Sequence, residues 1–363
     1  MLASKEKISI RQAMIILLCV TYSPTMRFVA FSGVEIAKQA AWISPIISFV
    51  IVIPIVLMLH SIYKKHENQS FTEVMEDILG SAAGKIVTVF YAVFLTFLFS
   101  TTSYINADKL VATVYPNQNI MIFIAIVLFT AAFITRKGGI VVIARISEII
   151  FMLLVSIFLF ILVLALKDIN ISRLTPISYL DIYPAFKANI EILGVWSYLP
   201  LIFLFSNYIN NKEKIKKACT LTLLSLTLLT ILMFVVAIGL LGASILELSP
   251  VPYVTAVKQI SVFQVLERLE AAEIGLWILA DFILSAILLF TALNVFKSLF
   301  KLSDIRPLAG IYSVIIFLLA LMTGRNVFEV QFLGYNIISL ISTLFGFIIP
   351  GIVFSVGKVR RKI

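Results

Sequence analysis

The chain is 363 residues long, 61% of them hydrophobic and only 13% charged, with a mean hydropathy of +1.08. A soluble domain is about 45–50% apolar and about 25% charged, so this composition excludes a water-soluble globular protein and names the bilayer as the solvent. The net charge of +10 does not indicate a nucleic-acid partner, because no stretch collects basic residues on a water-facing domain with enough polar surface to fold around.

A spanning helix needs about 20 mostly apolar residues. Ten such stretches lie between charged or Pro- and Asn-rich flanks and are numbered α1 to α10. The first five run from Ile10 to Phe31, Trp42 to Tyr63, Gly84 to Leu110, Ile120 to Ile134 and Ile140 to Leu166. The next five run from Ile190 to Ile209, Ala218 to Leu241, Ile274 to Val295, Leu308 to Met322 and Phe332 to Val356. The fourth and ninth are short. The apolar run after Met1 to Lys7 is too long for a secretory signal and has no small-residue cleavage site, so α1 is expected to stay in the protein.

With the N-terminus placed inside, roughly two thirds of the 29 Lys and Arg fall in the inner segments, as expected for basic loops retained in the cytoplasm. Dropping or merging one helix would reverse every later loop and scatter that bias. The sequence therefore predicts an all-α membrane protein, residues 1–363 as one integral domain, with both termini cytoplasmic.

Two outer segments are too long for simple turns. Asp168 to Asn189 carries Arg173, Pro176, Asp181 and Pro184, and Ala243 to Glu273 carries Pro250 and Pro252. In the latter, Val254, Val257, Ile260, Phe263, Leu266 and Leu269 recur every third position, which drifts around a helix instead of forming one stripe. The drift predicts a helix partly wedged between others, serving either as an interfacial cover or as a lid over a site.

Cys19 and Cys219 fall in or beside apolar runs and read as small buried hydrophobes. His60 and His66 have no ligand cluster at metal-binding spacing, so no metal is expected. Walker-type, HExxH, CxxC and Gly-x-Ser-x-Gly signatures are absent, so neither an enzyme nor a cofactor is expected.

The informative features are interruptions of apolar runs, because broken helices at membrane depth are tolerated only where they are buried or line a cavity. One lies in α1 around Thr21, Ser23, Pro24, Thr25 and Arg27, and the other in α6 around Gly194, Trp196, Ser197, Tyr198 and Pro200. If residues 10–166 and 190–356 are two five-helix repeats, α1 and α6 hold equivalent places, and the odd helix number inverts the second repeat. Breaks at matching positions of inverted halves point to a central binding site. A half-helix N-terminus suits a carboxylate and free carbonyls suit an ammonium, so the expected ligand is a zwitterion such as an amino acid. Thr21, Ser23, Thr25, Gly194 and Ser197 are the candidate polar contacts, with Trp196 and Tyr198 as walls. The alternative is a pair of packing kinks, which Pro54, Pro350 and Gly351 are expected to be.

Ionisable residues at membrane depth are costly and need a reason. Arg27 either holds a carboxylate or snorkels to headgroups. Asp281, on one strip of α8 with Ser285, either binds a proton or cation or pairs with Arg27. Asp108 and Lys109 read as headgroup contacts at the end of α3. Thr101 belongs to a polar patch, Thr101 to Tyr104, that either faces a cavity or bonds the preceding turn.

In order and spacing, four segments resemble the spore germination permease family, the integral-membrane B subunits of nutrient germinant receptors in endospore-forming bacteria. They are Ile8-Ser9-Ile10-Arg11-Gln12, Gln39-Ala40-Ala41-Trp42-Ile43-Ser44, Glu267-Arg268-Leu269-Glu270 followed by Trp277, and the basic tail Lys358 to Lys362. The resemblance covers nearly the whole chain. It implies membership of the amino acid, polyamine and organocation transporter superfamily and the five-plus-five inverted repeat of the leucine-transporter type, with α1 and α6 broken. It further implies an amino acid or similar small nutrient as ligand, A and C receptor subunits as partners, and residence in the spore inner membrane. Many members carry a glycine-rich turn and then Leu-Pro in α1, where this chain has Ser23-Pro24-Thr25 and then Val29-Ala30, so no individual ligand contact in α1 is carried over. The expected function is a nutrient-sensing receptor subunit on a transporter fold, and the alternative is a proton- or cation-coupled amino acid transporter.

Overall fold

The computed structural model describes residues 7–66, 69–210, 212–249, 251–260, 269–323, 329 and 332–363. Pro250, Phe263, Leu266, Glu267 and Arg268, used in the sequence argument, lie outside these residues.

The described chain is almost wholly helical. Seven continuous stretches are long and apolar enough to cross a membrane, and their lengths resolve them into the predicted spans. Residues 10–65 form one stretch of 56 residues, whose helical rise of about 80 Å is more than twice the hydrocarbon core. It folds over at the 3-10 turn Lys38–Ile43, where Lys38 has a φ of 49°, and so supplies α1 and α2. Ile120–Ala165, 46 residues, is likewise two spans hinged at Gly139. That glycine has φ 53° and ψ −137°, a backbone that a side chain would oppose, and it separates α4 from α5 where the sequence predicts. Ser81–Thr113 is α3, Ile215–Leu241 is α7 and Leu269–Phe300 is α8. Leu308–Thr323 is the short α9, α6 occupies residues 189–208, and α10 runs over 333–359 with π-helical stretches at Leu333–Ile338 and Leu344–Ile348.

Local chemistry sets the start of α1. Ser9 caps it, accepting from the Gln12 N–H at 3.2 Å while the Gln12 side chain accepts from the Ser9 N–H at 3.0 Å. Just before it, Ile8–Ser9 forms a two-residue parallel strand pair, β1, with β2, Ile209–Asn210, directly after α6. The beginning of α1 and the end of α6 therefore share one face, which requires the two helices to run oppositely, as inverted halves do.

That face gathers every segment assigned to the inner side. Ser298, at the end of α8, bonds Ser70 at the cap of the surface helix Phe71–Leu79, and Arg360 donates to the Ile78 carbonyl of the same helix. Thr135, Gly139, Tyr208, Lys297 and Asp304 border one polar cavity of about 270 Å³ there. The opposite face is tied together by Lys38–Glu247, by Gln39 donating to the Pro176 carbonyl, and by the Arg173 guanidinium on the carbonyls of Gly239 and Leu240. In the second long outer segment, Pro252–Val257 is a short helix with Tyr253, Val254, Ala256 and Val257 buried, so it is inserted among the spans and not laid over them.

Candidate functional site

Two prolines shape the centre of the bundle. Pro24 has no N–H to give the Val20 carbonyl, and its ring crowds that turn. α1 widens in response into a π-helix over Thr25–Val29 and resumes as α-helix over Ala30–Ala37. The interruption is thus a widened turn. The Thr25 N–H reaches the Thr21 and Tyr22 carbonyls, and the Thr25 hydroxyl donates to Thr21 at 2.7 Å. In α6, helix Asn189–Trp196 breaks step at Ser197, resumes over Tyr198–Leu201 around Pro200, and tightens to 3-10 over Ile202–Tyr208. Asn294 of α8 donates to the Leu204 carbonyl at 2.7 Å, next to the non-helical backbone at Phe205.

Both interrupted stretches border one cavity of about 30 Å³, room for about two waters. α1 contributes Ser23, Pro24 and Arg27, and α3 contributes Thr102, Asn106 and Lys109. α6 brings Gly194 and Tyr198, α8 brings Leu284 and α10 brings Ser339. A solute the size of an amino acid enters only if these helices move apart.

The cavity wall carries two cations. Lys109, 3% exposed, pairs with Asp281 of α8, donates to the Ser23 hydroxyl at 2.8 Å and lies 5.0 Å over the Trp277 ring. Arg27 pairs with Asp108 at 3.8 Å and donates to the Ile105 carbonyl at 3.2 Å. The sequence offered Arg27 as the partner of Asp281; the structure assigns that place to Lys109. Lys109 is also no headgroup contact, because α3 continues to Thr113 and carries it inward. One and two turns from Asp281 along α8, Trp277 donates to Glu273 at 3.0 Å, and Glu273, fully buried, also meets the Tyr22 hydroxyl.

Of the residues singled out in the sequence, Ser23, Pro24, Arg27, Gly194 and Tyr198 meet at the cavity, and Asp281 holds the lysine that reaches it. Thr21 spends its hydroxyl on the Leu17 and Leu18 carbonyls, Thr25 on Thr21, and Ser197 on Gly194 at 2.6 Å. Trp196 is buried without bordering the cavity, its indole N–H without a partner among the described residues. Thr101 bonds its own helix at Phe97, and its neighbour Thr102 lines the space instead.

A second contact underlies the site. A Cβ on Gly194 would come within 2.6 Å of the Ser339 Cα, and one on Gly346 within 2.6 Å of the Ser197 Cβ, so α6 and α10 pack backbone to backbone. The Ser339 hydroxyl donates at 2.5 Å to Glu191, buried one turn before Gly194.

Tyr22, Lys109, Glu191, Glu273 and Trp277 were not assigned site roles from sequence. Lys109, Glu191 and Glu273 sit within a turn or so of predicted helix ends, and only the true boundaries show that they are inside.

The sequence signature of the family described as "Spore germination protein" matches residues 7–328. "Spore germination protein KB" of Bacillus subtilis (strain 168) is 23% identical over 367 residues, 99% of this chain and 96% of that protein. "Putative spore germination protein YfkT" of the same organism is 24% identical over 246 residues, 68% of this chain and 67% of its own length. Among solved structures, MhsT in complex with L-phenylalanine superposes with a TM-score of 0.64 at 14% identity, covering 92% of this chain and 87% of that one. Mhp1, a nucleobase-cation-symport-1 family transporter with bromovinylhydantoin bound, gives 0.64 at 16% identity, covering 96% and 79%. These likenesses show the five-plus-five inverted repeat of the leucine-transporter type.

Proposed function

The chain belongs to the spore germination protein family, and from that premise we propose that it is the membrane subunit of a nutrient germinant receptor, binding an amino acid or similar small nutrient at the cavity between α1, α3, α6, α8 and α10. It is a multi-pass membrane protein of permease fold. The observation that carries the binding reading is the pair of cations, Arg27 and Lys109, on the wall of a cavity bordered by both interrupted helices. A solute carboxylate competes with Asp108 and Asp281 for those side chains, while the Ser23, Asn106, Tyr198 and Ser339 side chains offer neutral polar contacts.

Residues 10–166 and 190–356 are the two repeats that move against each other. Because the cavity is smaller than its solute, binding favours the arrangement in which it is wider, and only that difference in affinity shifts the balance. The shift passes to A and C partner subunits. The basic face, with both termini, lies in the cytoplasm of a cell or spore bounded by its inner membrane.

The fold shared with MhsT and Mhp1 supports a second reading, uptake of the same solute by a proton- or cation-coupled transporter. Reconstituted full-length protein offered a labelled amino-acid panel separates the two. Saturable binding without accumulation is expected of the receptor subunit, accumulation of the transporter, and neither outcome leaves the solute site standing if both measurements are negative. Gly194→Leu is expected to reduce binding at least tenfold with the protein still in the membrane; unchanged affinity removes α6 from the site.

A further inference from the structure

Among the described residues, the buried charges between α1, α3 and α8 do not balance. Arg27 answers Asp108 and Lys109 answers Asp281, which leaves Glu273. Glu273 is 0% exposed, and its partners among the described residues are neutral: the Tyr22 hydroxyl and the Trp277 indole N–H. An unpaired carboxylate buried at that depth is far costlier than a neutral acid.

The hydrogen-bond geometry gives an independent argument. The Tyr22 hydroxyl oxygen lies 2.7 Å from one Glu273 oxygen and 2.9 Å from the other. A phenol has one hydrogen to donate. If Tyr22 donates to one oxygen, the second contact is a full hydrogen bond only when the other oxygen carries a hydrogen and donates back, the cyclic pairing of a carboxylic acid with a hydroxyl. Trp277, a donor only, bonds the oxygen 2.7 Å from Tyr22, which leaves the other free to bear the hydrogen.

We propose that Glu273, clasped by Tyr22 and Trp277, is a proton-binding site of this chain, occupied when the solute cavity is closed. Among the described residues the titratable and charged groups facing it are Tyr22 from α1, Tyr253 from the inserted helix and Lys109 from α3; on its own helix Glu270 lies one turn before it and Asp281 two turns after it. The part of α5 that reaches Tyr253 through Phe158, residues 151–165, has no ionisable side chain. The site is joined to the cavity by covalent adjacency: Tyr22 precedes Ser23, and Ser23 holds Lys109. A movement of α1 that widens the cavity draws Tyr22 from the carboxyl, admits water and lets the proton pass from the Glu273 oxygen to that water. Opening and proton release are one event.

The test needs no solute, so it stands or falls apart from the receptor reading. Infrared spectra of the full chain in lipid at neutral pH distinguish a protonated carboxyl, by its C=O stretch, from a carboxylate. Glu273→Gln is expected to remove one protonated-carboxyl component, and Tyr22→Phe to keep that component but move it to higher frequency as a hydrogen bond is lost. A wild-type spectrum that loses no protonated carboxyl on Glu273→Gln overturns the proposal. Should that variant fail to fold, Tyr22→Phe decides alone, and an unmoved carboxyl band overturns it equally.

Discussion

Two contacts frame the cavity, and they are built from opposite materials. On one side α1, α3 and α8 meet through Lys109, Asp281, Ser23, Glu273 and Tyr22, five buried polar side chains. On the other, α6 and α10 meet through Gly194 against Ser339 and Gly346 against Ser197, with backbones so close that no side chain fits between them. The first contact depends on protonation and on which charge faces which, so a carboxylate or a proton changes it. The second depends chiefly on volume, with one buried hydrogen bond, from Ser339 to Glu191, beside the glycines. A site with one such wall on each side has a side that responds and a side that holds.

The sharpest way to break the comparison is to remove one charge. Lys109→Met leaves Asp281 buried and unpaired, and the loss expected for breaking a buried pair is about 3–5 kcal/mol. Lys109→Met combined with Asp281→Leu removes both charges and is expected to recover most of that loss, leaving Glu273 as the group that makes the α1–α8 contact respond to pH. Thermal unfolding of the reconstituted variants measures both. If the single and double variants are equally destabilised, the contact is held by shape and the distinction between the two walls fails.

A smaller effect is expected at the packed wall. Gly346→Val pushes a branched side chain toward the Ser197 backbone, and overpacking of that kind costs about 1–3 kcal/mol. Its effect is expected to be independent of pH between 5 and 8, in contrast to the charged wall. A pH-dependent loss would mean that Glu191, bonded to Ser339 on the same seam, shares the responsive role.

The sequence carried the spans, their parity and the α1–α6 correspondence because these rest on properties summed over many residues: apolar length, the placement of Lys and Arg, and the position of proline. Pro24 and Pro200 in the interrupted helices are single residues whose backbone chemistry acts locally and is therefore readable, whereas the positive φ of Gly139 between α4 and α5 emerges only in the structure. The charged wall was not readable in the same way. Lys109 and Glu273 were placed at helix ends because the predicted α3 and α8 were each several residues short, and a turn of helix decides between headgroup and core. Thr101 and Thr102 show the same limit on a finer scale, since one residue rotates a side chain by about 100°. The Lys109–Asp281 pair joins positions on two helices far apart in sequence, and only tertiary packing selects it over Arg27.

The least effect is expected where the same chemistry meets water. On the inner face Lys362 donates to Asp77 at 2.8 Å, with both side chains partly exposed. Lys362 holds the Asp77 carboxyl below the usual carboxylate range. The contact therefore contributes at neutral pH and its contribution is lost as pH falls through that depressed value. An exposed pair is worth less than about 1 kcal/mol and is screened by salt. Asp77→Asn is accordingly expected to lower thermal stability slightly at pH 7, by an amount that shrinks with added salt and vanishes in acid. Lys109→Met is expected to keep its full effect at high salt, because ions do not reach it. Equal salt sensitivity of the two variants would place Lys109 in water and remove the basis for a responsive wall at the cavity.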